Sequence, residues 1–281
     1  MIYMTDEKFP IDNKLFSFND INFDSVELVD EFSIKNIVSK NDEIFLFNPS
    51  FEQLSMFINL KKNVYLFFDY VDFKIIELIR SNHVKKVIII DEKDKILLQN
   101  QEVSKFELVY PLSSNLPKLE GEWNNRLSVF THLRDIQHEH IDSMVDIFSK
   151  ECINISYHGL KVVESDESYE KLMRLLYGNI DLINAPTIEF EDLVEGVYSI
   201  IDIQKNEYPI FSLYLNSQKR LPFLYSSVYR KWLKSDVQNP KPEKLGDIFK
   251  NEDKRNSMIE ENFSLHEKIF SGYKTIEEIE W

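Results

Sequence analysis

The chain is poor in the residues on which several functional classes depend. It holds one cysteine, Cys152, so no intrachain disulfide can form, which suits a reducing compartment. It holds 6 glycines in 281 residues, little material for the glycine-rich phosphate loops of dinucleotide and P-loop proteins. Basic residues are outnumbered, 33 against 48 acidic, for a net charge of −15. That balance repels phosphate backbones and argues against a general nucleic-acid binder. No apolar run approaches the roughly 18–20 residues of a membrane span. The most apolar stretch, Val64–Phe68, meets Asp69 at once. No Gly-x-Ser-x-Gly elbow is present, and the serines have no distinguishing setting. His138 and His140 stand at i, i+2, poor spacing for a shared metal, and no HExxH is formed, so no metal site is expected. The N-terminus lacks a basic segment followed by an apolar one, and the C-terminus lacks a lipidation signal. The expectation is a cytoplasmic protein with no transmembrane segment, no bound cofactor and no nucleic-acid partner.

What is present is an ordinary globular composition, 43% hydrophobic and 29% charged, which excludes disorder. The length is a prior for two domains at about 100–200 residues each. In the first half, Glu43–Phe47, Asn63–Phe68, Lys85–Ile90 and Phe106–Tyr110 are short runs rich in aromatic and β-branched residues, apolar on both faces. Such runs suit buried strands of a parallel sheet. Helix-like stretches lie between them at Ser50–Asn59 and Asp72–Ser81. Leu15–Phe23 alternates weakly and reads as strand or loop. Residues 111–125, with Pro111, Pro117 and Gly121, read as a linker.

The second half alternates again. Strands are expected at Arg126–Phe130, Cys152–Ser156, Ile180–Asn184, Tyr198–Asp202 and Leu221–Tyr225. Helices are expected at His140–Lys150, Ser168–Leu176, Phe190–Val197 and Pro209–Ser217. The acidic and basic C-terminal stretch Glu243–Trp281 reads as amphipathic helices that pack back on the domains, or as a free interaction tail. The fold class is therefore α/β: two tandem Rossmann-like parallel-sheet domains, 1–120 and 121–281, with C-terminal helices. Ligands of such sheets sit outside the carboxyl ends of the strands.

Three passages carry a family resemblance. Leu127–Arg134 is a strand leading into a turn and helix. Asn179–Asn184, the helix Phe190–Val197 and Tyr198–Asp202 follow in order. Ile203–Glu207, a helix and Lys219–Tyr225 close the set. Over about residues 126–226 this order resembles the nucleotide-sugar domain of GT-B glycosyltransferases, of the retaining, family-4-like kind. The resemblance implies metal-independent transfer of a sugar from a nucleotide-activated donor to a glycan or protein acceptor. It implies that Arg134 and Lys161 bind the diphosphate and that Glu207 accepts from donor hydroxyls. Asn216, Ser217 and Ser212 would face the ligand if their helix points its N-terminal end at it.

The residue types fit these roles. A guanidinium suits bidentate phosphate contact, and Gly159 permits close backbone approach before Lys161. His132 is the histidine best placed to act on a substrate hydroxyl or phosphate. Asp69 and Asp202, read as strand ends, are weaker candidates. The motifs are also eroded. Thr131-His132 stands where the family has glycine, and His138 stands near its lysine. Of the E-x7-E pair only Glu207 remains, the second position falling near Leu215-Asn216. Two readings stay open: an active transferase, or a GT-B-like subunit without catalysis that binds a partner enzyme or acceptor polypeptide, as in adhesin-glycosylating systems that pair an active subunit with an inactive one. Either is compatible with homo- or hetero-oligomers.

Overall fold

The structure is a computed structural model that describes residues 2–5, 15–21, 25–28, 42–119, 126–131, 154–159, 180–184, 199–204, 208–226, 233–234, 237–238 and 242–281. The chain divides into two units, Met1–Asn115 with Gly272–Trp281, and Leu116–Ser271.

The first unit is built on six parallel strands: β1 (Ile2–Thr5), β2 (Ser25–Leu28), β3 (Glu43–Phe47), β4 (Asn63–Phe68), β5 (Val84–Ile89) and β6 (Phe106–Leu108). Their order is β2-β1-β3-β4-β5-β6, so the strand order reverses between β1 and β3. Strand side chains alternate between faces, and both faces here are buried. Ile44 and Leu46 of β3, Val64, Leu66 and Phe68 of β4, and Val87 and Ile89 of β5 share one core. It is closed by helix α1 (Phe51–Asn59), the short helix α2 (Ile76–Ile79) and α3 (Glu92–Asn100). The other parity, Phe45, Phe47 and Phe67, meets Phe16 and Phe18. The Phe18 ring lies 5.0 Å from Phe47 and 5.2 Å from Phe67. Two-sided burial is the physical reason these runs show no polar alternation.

Local chemistry starts and stops these elements. Ser50 caps α1 and exchanges hydrogen bonds with Gln53 in a reciprocal box. Asp72 and Asp91 cap the next two helical segments through the backbone N–H groups of Lys74 and Lys93. The stretch expected as one helix over Asp72–Ser81 is a 3-10 turn, Phe73–Ile75, running into α2. Leu15–Phe23, open between strand and loop, is a 3-10 turn at Ser17–Asp20 with Phe16 bridged to Leu112.

The expected linker 111–125 is in part packed structure. Ser17 N–H donates to the Pro111 carbonyl at 2.7 Å, and Ser113 N–H to Leu15 at 2.9 Å. The Asp20 carboxylate accepts from Ser113 Oγ, Ser114 N–H and Asn115 Nδ2. Just past that point the partners change. Tyr214 Oη donates to Pro117 at 2.7 Å, and Leu119 N–H donates to Gln218 Oε1. The division into the two units falls between Asn115 and Leu116. The last ten residues do not go with the second unit. Lys274 pairs with Glu107 at 2.8 Å, Tyr110 N–H donates to the Lys274 carbonyl, and Trp281 stands on Phe45 and Tyr65.

Among the described residues the second unit has five parallel strands: β7 (Arg126–Thr131), β8 (Asn154–Gly159), β9 (Ile180–Asn184), β10 (Ser199–Gln204) and β11 (Leu221–Ser226), in the order β11-β10-β7-β8-β9. Helix α4 (Ile210–Ser217) joins β10 to β11 and is buried from Ile210 to Asn216. It ends where Lys219 turns left-handed at φ 54°, and Arg220 N–H returns to the Leu215 carbonyl. Helices α5 (Pro242–Lys250) and α6 (Glu252–Phe270) follow, with Phe249 stacked on Phe223 of β11. The helices expected at 140–150, 168–176 and 190–197, and Cys152, lie outside the described residues.

His266 of α6 is buried between Phe263 and Phe270, and burial pushes its imidazole down to about 4. The unfolded chain binds that proton near pH 6.5. Stability from the neutral imidazole is therefore complete above about pH 6.5 and is lost as pH falls toward about 4, by up to about 3 kcal/mol. His266→Phe should remove that part of the acid dependence; chemical denaturation of both proteins between these pH values is the check. Identical pH profiles would refute the assignment.

Candidate functional site

The order of the second sheet fixes where a ligand can be held. Counted along the chain its strands run 5-4-1-2-3 across the sheet, and the connections reverse between β7 and β10. At such a reversal the chain leaves two neighbouring strands in opposite directions, which opens a crevice outside their carboxyl ends.

The register levels that edge. Thr131 of β7 pairs with Ile203 of β10 on one side and Gly159 of β8 on the other, and Gly159 pairs with Asn184 of β9. Adjacent strands lie about 4.8 Å apart. From this row the chain continues into the residues singled out by sequence. His132 follows Thr131 directly and Arg134 comes two residues later. Lys161 is the second residue past Gly159, and Glu207 the third past Gln204. All four lie outside the described residues.

Two candidates fall elsewhere. Asn216 and Ser217 close α4, and the chain then enters β11 at Leu221, which pairs with Ser199 at the start of β10. They are therefore at the amino edge of the sheet, one helix length from its carboxyl edge. The helix does begin on the carboxyl side, but residues 216 and 217 are at its other end. Asn216 is fully buried and its Nδ2 donates to the Asn262 carbonyl of α6 at 3.2 Å. Ser217 Oγ donates to the Tyr214 carbonyl at 2.7 Å. Both side chains belong to the packing of α4.

The strand ends also differ from expectation. β8 runs through His158 and Gly159, which pair with Phe130 and Thr131, so these residues extend the strand instead of forming a turn. Asp202 lies inside β10, between Phe130 and Leu224 on its two neighbours, and does not end the strand. Asp69 does follow β4, and its N–H donates to Asn48 Oδ1 at 3.0 Å. That link, with Asn48 held left-handed at φ 44°, joins the turns after β3 and β4 and was not read from the sequence. An asparagine directly after a strand end was its signal.

Among the described residues no group of three or more histidine, cysteine or acidic side chains is arranged to hold a metal ion. Among them, too, no helix is long and apolar enough to cross a membrane.

No family model and no curated protein matches the chain in sequence. Solved structures match it in three dimensions. HepE from Anabaena, crystallised with UDP and glucose, superposes with a TM-score of 0.66 at 8% identity over 96% of this chain and 95% of HepE. TarM matches with a TM-score of 0.56 at 12% identity over 87% of this chain, which spans only 55% of TarM. UDP-GlcNAc 2-epimerase from Neisseria meningitidis, bound to UDP-GlcNAc, matches at 0.54 and 10% identity over 98% of this chain and 95% of that one. The fold is α/β and GT-B-like.

Proposed function

We propose that the chain takes a nucleotide-activated sugar at the carboxyl edge of β7, β8 and β10 and transfers the sugar to a glycan or protein acceptor. One observation carries this: the paired register that sets Thr131, Gly159 and Ile203 side by side at the topological switch point. From that row the chain supplies two cations and one carboxylate within four residues. Arg134 and Lys161 neutralise the diphosphate, whose charge grows as the sugar leaves. Fixed cations stabilise that charge without a metal. Glu207 accepts from two donor hydroxyls. His132, one residue past β7, acts on the substrate hydroxyl or phosphate. On the retaining, family-4-like reading this is the donor half of a cytoplasmic transferase.

A second reading has its own support. The position where the family's second carboxylate falls, Leu215-Asn216, is fully buried and packed against α6. A site with one carboxylate in place of two suits a subunit that keeps the fold and binds a partner enzyme or acceptor polypeptide.

Turnover separates the two. Release of UDP from UDP-glucose and UDP-GlcNAc, with products examined also for the C2 epimer, is expected in the wild type. Glu207→Gln should slow it by about tenfold or more, the loss of a charge-assisted pair of hydrogen bonds. Saturable nucleotide binding without turnover would favour the partner subunit. Equal turnover in Glu207→Gln would remove that residue from the site.

A further inference from the structure

We propose, resting on the donor reading above, that Pro209 is the positioning residue for Glu207: the bend it makes, with the helix behind it, aims the carboxylate that accepts from the donor hydroxyls. The bend has a definite form. Ile210 N–H donates to the Tyr208 carbonyl at 2.7 Å across Pro209, whose φ is −77° and ψ 64°. These are the angles of an inverse γ-turn, a low-energy three-residue bend common where strands end. Proline suits its centre in two ways. Its ring fixes φ near the required value, and it has no N–H that would need a partner in a buried place. Pro209 is buried, as are Tyr208 before it and Ile210 after it. The helix expected from Pro209 starts at Ile210, so the proline stands one place ahead of the first helical position it usually takes. It bends the chain between Glu207 and α4 instead of only opening the helix.

The helix that this bend leads into is held along its length. Every residue from Tyr208 to Asn216 is buried. Its far end is fastened by hydrogen bonds to two other segments. Tyr214 Oη donates to the Pro117 carbonyl at 2.7 Å, and Arg220 Nη2 to the Leu119 carbonyl at 3.1 Å. Leu119 N–H returns to Gln218 Oε1 at 3.3 Å. On the side of α6, Asn216 Nδ2 donates to the Asn262 carbonyl at 3.2 Å. The γ-turn is therefore built against a fixed rod, and Glu207 is the residue directly before it in the chain. With Tyr208 and Pro209 set, only the torsions of Glu207 itself remain to be ordered. A carboxylate that accepts from two hydroxyls at once gains from this, because a group already in place loses less freedom when its ligand binds.

Two measurements on the full chain test it. The first needs no donor. By NMR amide relaxation, Glu207 should show an order parameter of about 0.85 in the wild type, as rigid backbone does, falling below about 0.6 in Pro209→Gly. A Glu207 amide that is mobile in the wild type, or unchanged in the variant, would overturn the proposal. The wild-type reading decides this even if the variant folds poorly. The second is a double-mutant cycle on kcat/KM for UDP-glucose or UDP-GlcNAc, whichever is turned over, or on UDP-glucose affinity. Pro209→Ala should lower it by about three- to tenfold, no more than Glu207→Gln does, and should cost nothing further in the Glu207→Gln background. Hydrogen exchange of the β10 and α4 amides should match the wild type throughout. A role in folding alone would give the same loss in both backgrounds, and that additivity would overturn the proposal. A Glu207 ordered through Pro209, in a chain that neither binds nor turns over the donor, would sink the proposed activity and leave the hold of the turn on Glu207 standing.

Discussion

Arg134→Ala is expected to weaken binding of the nucleotide diphosphate by between about tenfold and a hundredfold, because a charge-assisted, bidentate contact contributes roughly 1.5–3 kcal/mol. β7 lies between β10 and β8 and ends at Thr131, level with Ile203 and Gly159. Arg134 is the third residue beyond it. A diphosphate placed outside the switch point needs a cation reaching it from one of these strand ends, and Arg134 and Lys161 are the first basic residues beyond β7 and β8. Arg134→Lys should recover only part of the affinity, since an ammonium is a point charge without the planar fork. Calorimetry on the wild type and both variants decides it. Equal affinities would place the diphosphate elsewhere.

Phe18→Ala is expected to cost the first unit about 3–5 kcal/mol, the range for removing a fully buried phenylalanine. Phe18 is 0% exposed, and its ring lies 5.0 Å from Phe47, 5.2 Å from Phe67 and 6.2 Å from Phe45. It comes from the 3-10 turn at Ser17–Asp20, which closes the aromatic face of β3 and β4. Emptying that position leaves a cavity that the tied turn, held by Ser17 to Pro111 and by Asp20 to Ser113–Asn115, cannot readily collapse. With two units in one chain a single unfolding transition is not assured. Native-state hydrogen exchange of the β3 and β4 amides reads the first unit by itself. Unchanged exchange there would contradict this account of the core.

The parallel sheets were legible because their strands are buried on both faces. Val64–Phe68 is apolar and buried for that reason, and the bounds of β4, Asn63–Phe68, match the sequence reading residue for residue. Strands without that burial signal were not legible. Ile2–Thr5 and Ser25–Leu28 are four residues each and include polar positions, so nothing in them exceeds background. Helix α3 was missed because its apolar face is thin: Leu98 is buried while Ile96 is exposed. In the site, chain order revealed which residues follow strands β7, β8 and β10. The helix expected at Pro209–Ser217 already has Asn216 and Ser217 at its C-terminal end, but the level of that end against the sheet was not legible in chain order. It follows from the chain entering β11 at Leu221, level with the start of β10, directly after the helix, so that residues 216 and 217 arrive at the amino edge. The return of residues 272–281 to the first unit was also hidden, since it rests on contacts such as Lys274 with Glu107 and Trp281 with Tyr65 that are far apart in sequence.

The central claim is that the carboxyl edge of the second sheet holds a nucleotide diphosphate. Isothermal titration of the full chain with UDP, GDP and CDP tests it most directly. The account predicts saturable binding at one site for one of these nucleotides, weakened about tenfold to a hundredfold in Arg134→Ala with the fold intact. Absence of saturable binding to all three would contradict it.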